Sequence, residues 1–162
     1  MKPKIVTIGV YGYDEDGFFK ALTDAGVDTF CDIRQRRGMR GAKYSFVNSS
    51  KLQERLERLG IRYFHCRFLA PSQTVRELQK AADKSSGTGK RSRSDLSDEF
   101  VEAYHKECLA TFEAAEFVKE LGENAKVVAL FCVEREPSAC HRSLVARRLA
   151  QDLELDVHHI MP

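Results

Sequence analysis

Short apolar runs alternate along the chain with segments whose apolar residues recur every three or four positions. The short runs are rich in β-branched residues and predict buried strands. They cover residues 5–9, 27–33, 61–66, 127–133 and 156–160. The regular alternation therefore predicts five strands joined by helical connections.

The segments between the strands carry helical spacing, together with residues that begin and end helices. The longest of them has apolar residues at four-residue steps, namely Phe100, Tyr104, Cys108 and Phe112. We expect a first helix after Asp14 that ends at Gly26 and a second that begins at a cap at Asn48 or Ser49 and ends before Gly60. Three more are expected over 72–82, over 97–121 and over 138–153.

Strands that alternate with helices favour a parallel sheet with helices on both faces, joined by right-handed crossovers. We therefore predict one α/β domain over residues 1–162, a three-layer Rossmann-like fold with a mainly parallel five-stranded sheet. The expected strand order is 3-2-1-4-5. That order brings the loops after strands 1, 2 and 4 together at the carboxyl edge of the sheet, where such folds bind ligands.

Composition narrows the class of protein. The chain is 43% hydrophobic and 31% charged, and no apolar stretch approaches the length of a membrane span. The amino terminus enters a strand without the features of a signal peptide, so we expect a cytoplasmic protein with no membrane partner. The 5 cysteines are an odd number and match no zinc-ligand spacing. We therefore expect no disulfide framework, no metal and no cofactor.

The net charge is only +2, but basic residues are concentrated in two segments, at 34–43 and 84–93. The second lies in a stretch at 83–95 that has no apolar side chain and is predicted to be a mobile loop. Basic segments on a near-neutral body attract anions, either a small molecule or a nucleic acid. Tyr44 and Phe46, which follow the first segment, are candidates for stacking on bases.

Reactive side-chain types are most concentrated just after the fourth strand. Cys132 and Glu134 follow that strand, and Cys140 and His141 come where the last helix is expected to begin. Glu134 and Asp32 both follow strand ends and would serve as acid and base. The alternative is that Asp32 pairs with a nearby arginine and organises the loops.

Cys140 and His141 form a candidate nucleophile pair, because the positive end of a helix lowers the pKa of a thiol. The alternative is a structural histidine bonded to a loop carbonyl. The four predicted catalytic residues are therefore Glu134, Asp32, His141 and Cys140.

A helix that begins at Ser138 would present free N–H groups and a partial positive charge to an anion, with Arg142 in its first turn. The loops after strands 2 and 1 add Arg34 and Tyr11 to the same edge. These four residues are the predicted substrate-binding set. The alternative is that Ser138 only caps the helix and Arg142 pairs with an acid.

Four segments carry a family resemblance. They read TIGVYG at 7–12, DIRQRR at 32–37, LERLGIRYFHCRFL at 56–69 and ALFCVEREPSACHRSLVARRL at 129–149. Together they resemble the bacterial and archaeal family catalogued as domain of unknown function 488, over nearly the whole chain. The chain departs from the family pattern after the Asp-Ile-Arg and after the third strand. The resemblance implies the fold and the site rather than a reaction, and the departures imply different substrate contacts in those two loops.

The leading hypothesis is a hydrolase or transferase that acts on a phosphorylated, nucleotide-like or nucleic-acid substrate. The arginines and the helix start would hold the anion, while Glu134, with Asp32 or His141, would move protons. A second hypothesis is a non-catalytic nucleic-acid-binding module that uses the two basic segments. A third is a thiol or redox protein that uses Cys140.

Overall fold

The computed structural model describes residues 2–89 and 93–162, and its centre is a five-stranded sheet in which every pair of neighbouring strands is parallel. The strands are β1 (Lys4–Ile8), β2 (Thr29–Asp32), β3 (Arg62–His65), β4 (Val127–Phe131) and β5 (Val157–Ile160). The α/β class and the parallel sheet predicted from the alternation are confirmed.

The strand order is β3-β2-β4-β1-β5, which differs from the predicted order in the middle of the sheet. β3 and β5 are the edge strands, as expected, but β4 rather than β1 lies beside β2. β1 and β4 are buried alike over their last four residues, so both suit the centre of a sheet. The predicted order is wrong, yet the carboxyl ends of β1, β2 and β4 still lie side by side.

Helices α1 (Glu15–Asp24), α2 (Ser49–Arg58), α3 (Gln73–Ser86), α4 (Asp98–Tyr104), α5 (Ala114–Leu121) and α6 (Arg142–Leu153) connect the strands. The hydroxyls of Ser72 and Ser97 cap α3 and α4 by accepting from main-chain N–H groups in the first turn. Phe18 of α1 packs against Phe30 and Phe131, with ring centroids 6.5 and 5.5 Å away. Within 2–89 and 93–162, no helix has both the length and the apolar character needed to cross a membrane.

The long helix predicted over 97–121 is interrupted. α4 passes into a π-helical turn at His105–Leu109, and α5 begins only after a short non-helical segment. The Arg148 guanidinium of α6 donates to the carbonyl oxygens of Leu109 (2.7 Å) and Phe112 (3.1 Å). These bonds satisfy carbonyls at the break. The prediction of one continuous helix is wrong because four-residue spacing carries no trace of this tertiary contact.

The segment predicted as a mobile loop, 83–95, is partly helical. α3 continues to Ser86, beyond its predicted end at Ala82. Asp83 is buried and accepts hydrogen bonds from Gln79 (2.8 Å) and Arg93 (3.0 Å). Arg93 also donates to the carbonyl oxygen of Ala139 at 3.1 Å, which bonds this part of the segment to the loop after β4. The part of this prediction that concerns residues 90–92 lies outside the described residues.

The last helix begins later than the sequence predicts. Pro137–Ala139 form a 3-10 turn, Cys140 is extended, and α6 begins at Arg142. Ser138 therefore does not open the helix, and its hydroxyl donates to the main-chain carbonyl of Ser94 instead. The proline explains the early turn, since its fixed φ suits the first position of a helical turn.

Candidate functional site

A cavity of about 680 Å³ lies at the carboxyl edge of the sheet. Its walls come from the segments after β1, β2 and β4 and from α3. Tyr11 lines the cavity from the segment after β1, and Glu134 and His141 line it from the segment after β4. This is the edge at which the sequence predicts a site, and small-molecule sites commonly occupy roughly 300–1,000 Å³.

The lining of the cavity is strongly cationic. Its carboxylates are Asp83 and Glu134, and both form ion pairs with Arg93. Exposed Arg36 and Arg40 make no hydrogen bond or ion pair with any other described residue. The cationic side chains are Arg34, Arg36, Arg40, Arg76, Lys80, Lys84 and Arg93. We call this set the cationic lining; it leaves an excess of positive charge facing the cavity.

α3 supplies part of this lining, including Arg76 and Lys80, which lie outside the two basic segments found in the sequence. Arg76, Lys80 and Lys84 recur at four-residue steps, and residues four apart lie on one face of a helix. That spacing was visible in the sequence.

Arg34 is fixed by Asp32. The carboxylate of Asp32 accepts two hydrogen bonds from the guanidinium, each of 2.8 Å, and a third of 2.7 Å from the Tyr63 hydroxyl. Burial raises the pKa of Tyr63, and the neighbouring Asp32 charge raises it further, so the hydroxyl stays protonated and donates. Asp32 is completely buried and does not line the cavity.

The Arg34 guanidinium also donates to the carbonyl of Val47 at 2.9 Å and lies 4.8 Å from the centre of the Phe131 ring. Its Nη1 atom has no hydrogen-bond partner within the described chain. Arg34 is thus held rigidly in the wall of the cavity, and its unpartnered Nη1 atom is buried.

Glu134 is held from both sides. Its Oε1 atom accepts from Arg93 at 2.8 Å, and its main-chain oxygen accepts from Arg142 at 2.6 Å. The Arg142 guanidinium also donates to the carbonyl of Arg135 at 3.2 Å, and the residue is completely buried. Arg142 therefore anchors the loop after β4 and does not line the cavity.

Gly9 completes this anchoring. A Cβ atom at this position would lie 1.9 Å from the main-chain oxygen of Glu134, far inside contact distance. Only glycine allows the two segments to approach so closely. The end of β1 and the loop after β4 are therefore in direct main-chain contact beneath the cavity.

Cys140 and His141 are neighbours in space as well as in sequence. Because Cys140 is extended rather than helical, its Sγ atom lies 3.8 Å from the Nδ1 atom of His141. The Nε2 atom of His141 lies 2.9 Å from the carbonyl oxygen of Ile33, to which it donates. Cys132 also lies here, and the ligand atoms of these three buried residues are all within 4.8 Å of one another.

The two ionisable neighbours shift each other's pKa. Burial raises the pKa of the Cys140 thiol, but the hydrogen bond with Cys132 and the positive charges of His141 and Arg142 outweigh it and hold the pKa well below its ordinary value. Burial lowers the pKa of His141, but the neighbouring Cys140 charge outweighs that effect, so the net pKa is raised. Cys140 itself is completely buried and does not line the cavity, whereas Cys132 and His141 do.

Of the remaining residues that the sequence predicts for the site, some line the cavity and others do not. Tyr11 lines the cavity, with its ring 5.2 Å from that of Tyr44. Ser138 does not line it. Tyr44 and Phe46 are buried in the core, so the prediction that they stack on bases is wrong for this conformation.

Comparison with known proteins gives one relationship. No curated protein and no solved structure matches the chain. A family model described as "Domain of unknown function DUF488" matches residues 15–149, which include α1 to most of α6 and the loop after β4. The resemblance seen in the sequence segments is thereby confirmed, and the chain belongs to the DUF488 family.

Proposed function

We propose that the protein is an enzyme, a hydrolase or a transferase, that binds a phosphorylated small molecule such as a nucleotide in the cavity. The observation that carries the proposal is the cationic lining. The described lining has seven cationic side chains and two carboxylates, so it keeps a net positive charge even though Arg34 is paired with the buried Asp32. Arginine binds phosphate through paired, charge-assisted hydrogen bonds, and Arg36 and Arg40 are exposed at the cavity.

The cavity suits a ligand larger than inorganic phosphate. At about 680 Å³ it has the volume of a typical small-molecule site. Both basic segments found in the sequence contribute to its wall, through Arg36 and Arg40 on one side and Lys84 and Arg93 on the other. We therefore assign them to one ligand rather than to two separate surfaces.

Glu134 is the residue we assign to the chemistry. The residue lines the cavity, and Arg93 and Arg142 fix its side chain and its main chain. We propose that it orients the attacking hydroxyl group or water. Asp32 is committed to Arg34 and Tyr63, so we assign it the positioning of Arg34.

Calorimetric titration with ADP and with inorganic pyrophosphate tests the binding. We expect both to bind at low ionic strength, and the Arg36→Gln, Arg40→Gln double variant to bind at least about tenfold more weakly, since a hydrogen bond to a charged group contributes about 1.5–3 kcal/mol. Arg147→Gln is the matched control, because Arg147 is exposed on α6 and does not line the cavity. Absence of binding, or equal affinities for the double variant and the control, would refute the proposal.

A second experiment addresses turnover. The protein is incubated with nucleoside mono-, di- and triphosphates and with a dinucleotide, and products are followed by phosphorus NMR. Glu134→Gln should retain ADP affinity while turnover falls by about a hundredfold or more. Turnover that survives the substitution would remove Glu134 from the mechanism. Binding without turnover of any of these compounds would leave a binding protein rather than an enzyme.

Nucleic-acid binding is the second candidate, favoured by the exposure of Arg36 and Arg40. The burial of Tyr44 and Phe46 removes the nearby aromatic side chains on which bases would stack. A single-stranded oligonucleotide in the same titration decides between the two. Tighter binding than ADP, with affinity falling steeply as salt rises, would favour the nucleic acid.

A further inference from the structure

We propose that Cys132, Cys140 and His141 form a binding site for one zinc ion at the floor of the cavity. The three residues come from different local structures. Cys132 directly follows β4, Cys140 is the extended residue after the 3-10 turn, and His141 directly precedes α6. Their sulfur and nitrogen atoms lie within 4.8 Å of one another. Two thiols and one imidazole are ligands that zinc prefers.

The distances are close to those of a tetrahedral zinc site. With Zn–S bonds of about 2.3 Å and Zn–N bonds of about 2.0 Å, a sulfur and a nitrogen ligand are separated by about 3.5 Å, and two sulfur ligands by about 3.8 Å. The Cys140 Sγ to His141 Nδ1 distance is 3.8 Å. The other two distances are at most 4.8 Å, so binding requires the side chains to move inward by no more than about 1 Å.

The hydrogen bonding of His141 is independent evidence for a ligand. Its Nε2 atom donates to the carbonyl oxygen of Ile33 at 2.9 Å, and its Nδ1 atom faces the Cys140 thiol. Histidines that bind metals typically donate their other ring N–H to a carbonyl or a carboxylate, which fixes the ring orientation. The imidazole is thus oriented with its free nitrogen toward the two thiols.

Charge also favours a metal ion here. Cys132, Cys140 and His141 are all buried, and an isolated thiolate is costly to remove from water. Two thiolates and one zinc ion are neutral together, so metal binding removes that cost. Cys31 and Cys66 form another close pair of buried thiols. Among the described residues no third ligand joins them in a metal-ligand cluster, so this pair serves as a comparison.

The fourth coordination position faces the cavity. Cys132 and His141 line the cavity, whereas Cys140 lies behind them. Three protein ligands with one open position are typical of catalytic rather than structural zinc sites. The use of this position by a phosphorylated ligand rests on the proposed function, but zinc binding itself does not.

The test measures metal without any phosphorylated ligand. Protein produced in zinc-supplemented medium and purified without chelators is analysed by mass spectrometry of its metal content. We expect about one zinc per chain, and a loss of about tenfold or more for Cys132→Ser and for Cys140→Ser. Cys31→Ser is the matched control, because it removes a buried thiol of the neighbouring strand β2, and it should keep its zinc.

Cobalt(II) titration of the chelator-treated wild-type protein keeps the test valid if the serine variants fail to fold. Thiolate-to-cobalt charge-transfer absorption at one equivalent supports the site. The proposal is overturned by substoichiometric zinc with no charge-transfer band, or by a Cys132–Cys140 disulfide in a non-reducing peptide map. Either result leaves the ADP titration unaffected, so the zinc site and the anion-binding cavity are tested independently of each other.

Discussion

Replacing Arg93 with glutamine tests whether one guanidinium holds two buried carboxylates at the wall of the cavity. Arg93 donates to Asp83 at 3.0 Å, to Glu134 at 2.8 Å and to the carbonyl of Ala139 at 3.1 Å. The Arg93 side chain is only 12% exposed, and those of Asp83 and Glu134 are 11% and 6% exposed. Glutamine would remove the charge of this guanidinium from two carboxylates that lie in a poorly hydrated place.

The structure sets the expected size of this effect. Removing one partner of a buried ion pair destabilises a protein by about 3–5 kcal/mol, because the remaining charge is left uncompensated. We expect Arg93→Gln to lower the free energy of unfolding by about that amount. The exposed pair of Lys20 and Asp24, with side chains 74% and 60% exposed, gives the control. Lys20→Gln should change the free energy of unfolding by less than about 1 kcal/mol.

Urea denaturation followed by circular dichroism provides the measurement, since the chain has no tryptophan. Adding Asp83→Asn and Glu134→Gln to Arg93→Gln removes the stranded charges, so the triple variant should regain at least half of the lost stability. An Arg93→Gln variant within about 1 kcal/mol of the wild type would refute the reasoning. A triple variant no more stable than the single one would show that lost packing, not stranded charge, causes the effect.

Two further predictions concern how the site is anchored. Gly9→Ala should lower the free energy of unfolding by about 1–3 kcal/mol or more, because its Cβ meets the Glu134 main chain, while Gly38→Ala, which meets nothing within 4 Å, should change it little. Urea denaturation measures both, and equal effects would contradict the close approach. Arg148→Met should cost about 1–3 kcal/mol and speed amide exchange in the π-helical turn, since two main-chain carbonyls lose their donor. The exposed Arg147→Met is its control, and unchanged exchange in Arg148→Met would contradict that role.

The sequence predicts the strands and the edges of the sheet, but not the order of its centre. The edge strands β3 and β5 read RYFH and VHHI and are largely or partly exposed, as polar side chains at a sheet edge require. β1 and β4 are both apolar and equally buried. Their exchange leaves the hydrophobic pattern unchanged, so the pattern carries no information on which of them pairs with β2.

The sequence also does not predict where the helices begin and end, and this limits the prediction of the site. Periodicity identifies the face of α3 that carries Arg76, Lys80 and Lys84, but it does not show where the chain leaves a helix. Extending α6 back to Ser138 placed Cys140 in a regular turn, where its side chain would diverge from that of His141. The extended backbone of Cys140 instead brings the two side chains together. That local conformation, set by the turn at Pro137–Ala139, creates the proposed metal site.

The later start of α6 also changes the role of Arg142 at this edge of the sheet. With α6 beginning at Arg142, the guanidinium of that residue points back to the carbonyls of Glu134 and Arg135. Arg142 therefore donates its hydrogen bonds to main-chain carbonyls of the protein. The side chains that attract an anion are those of the cationic lining. Because Arg142 and Gly9 contact the Glu134 main chain, they fix the position of this residue in the wall of the cavity. Buried arginine thus supports the site by fixing its loop rather than by contacting the ligand.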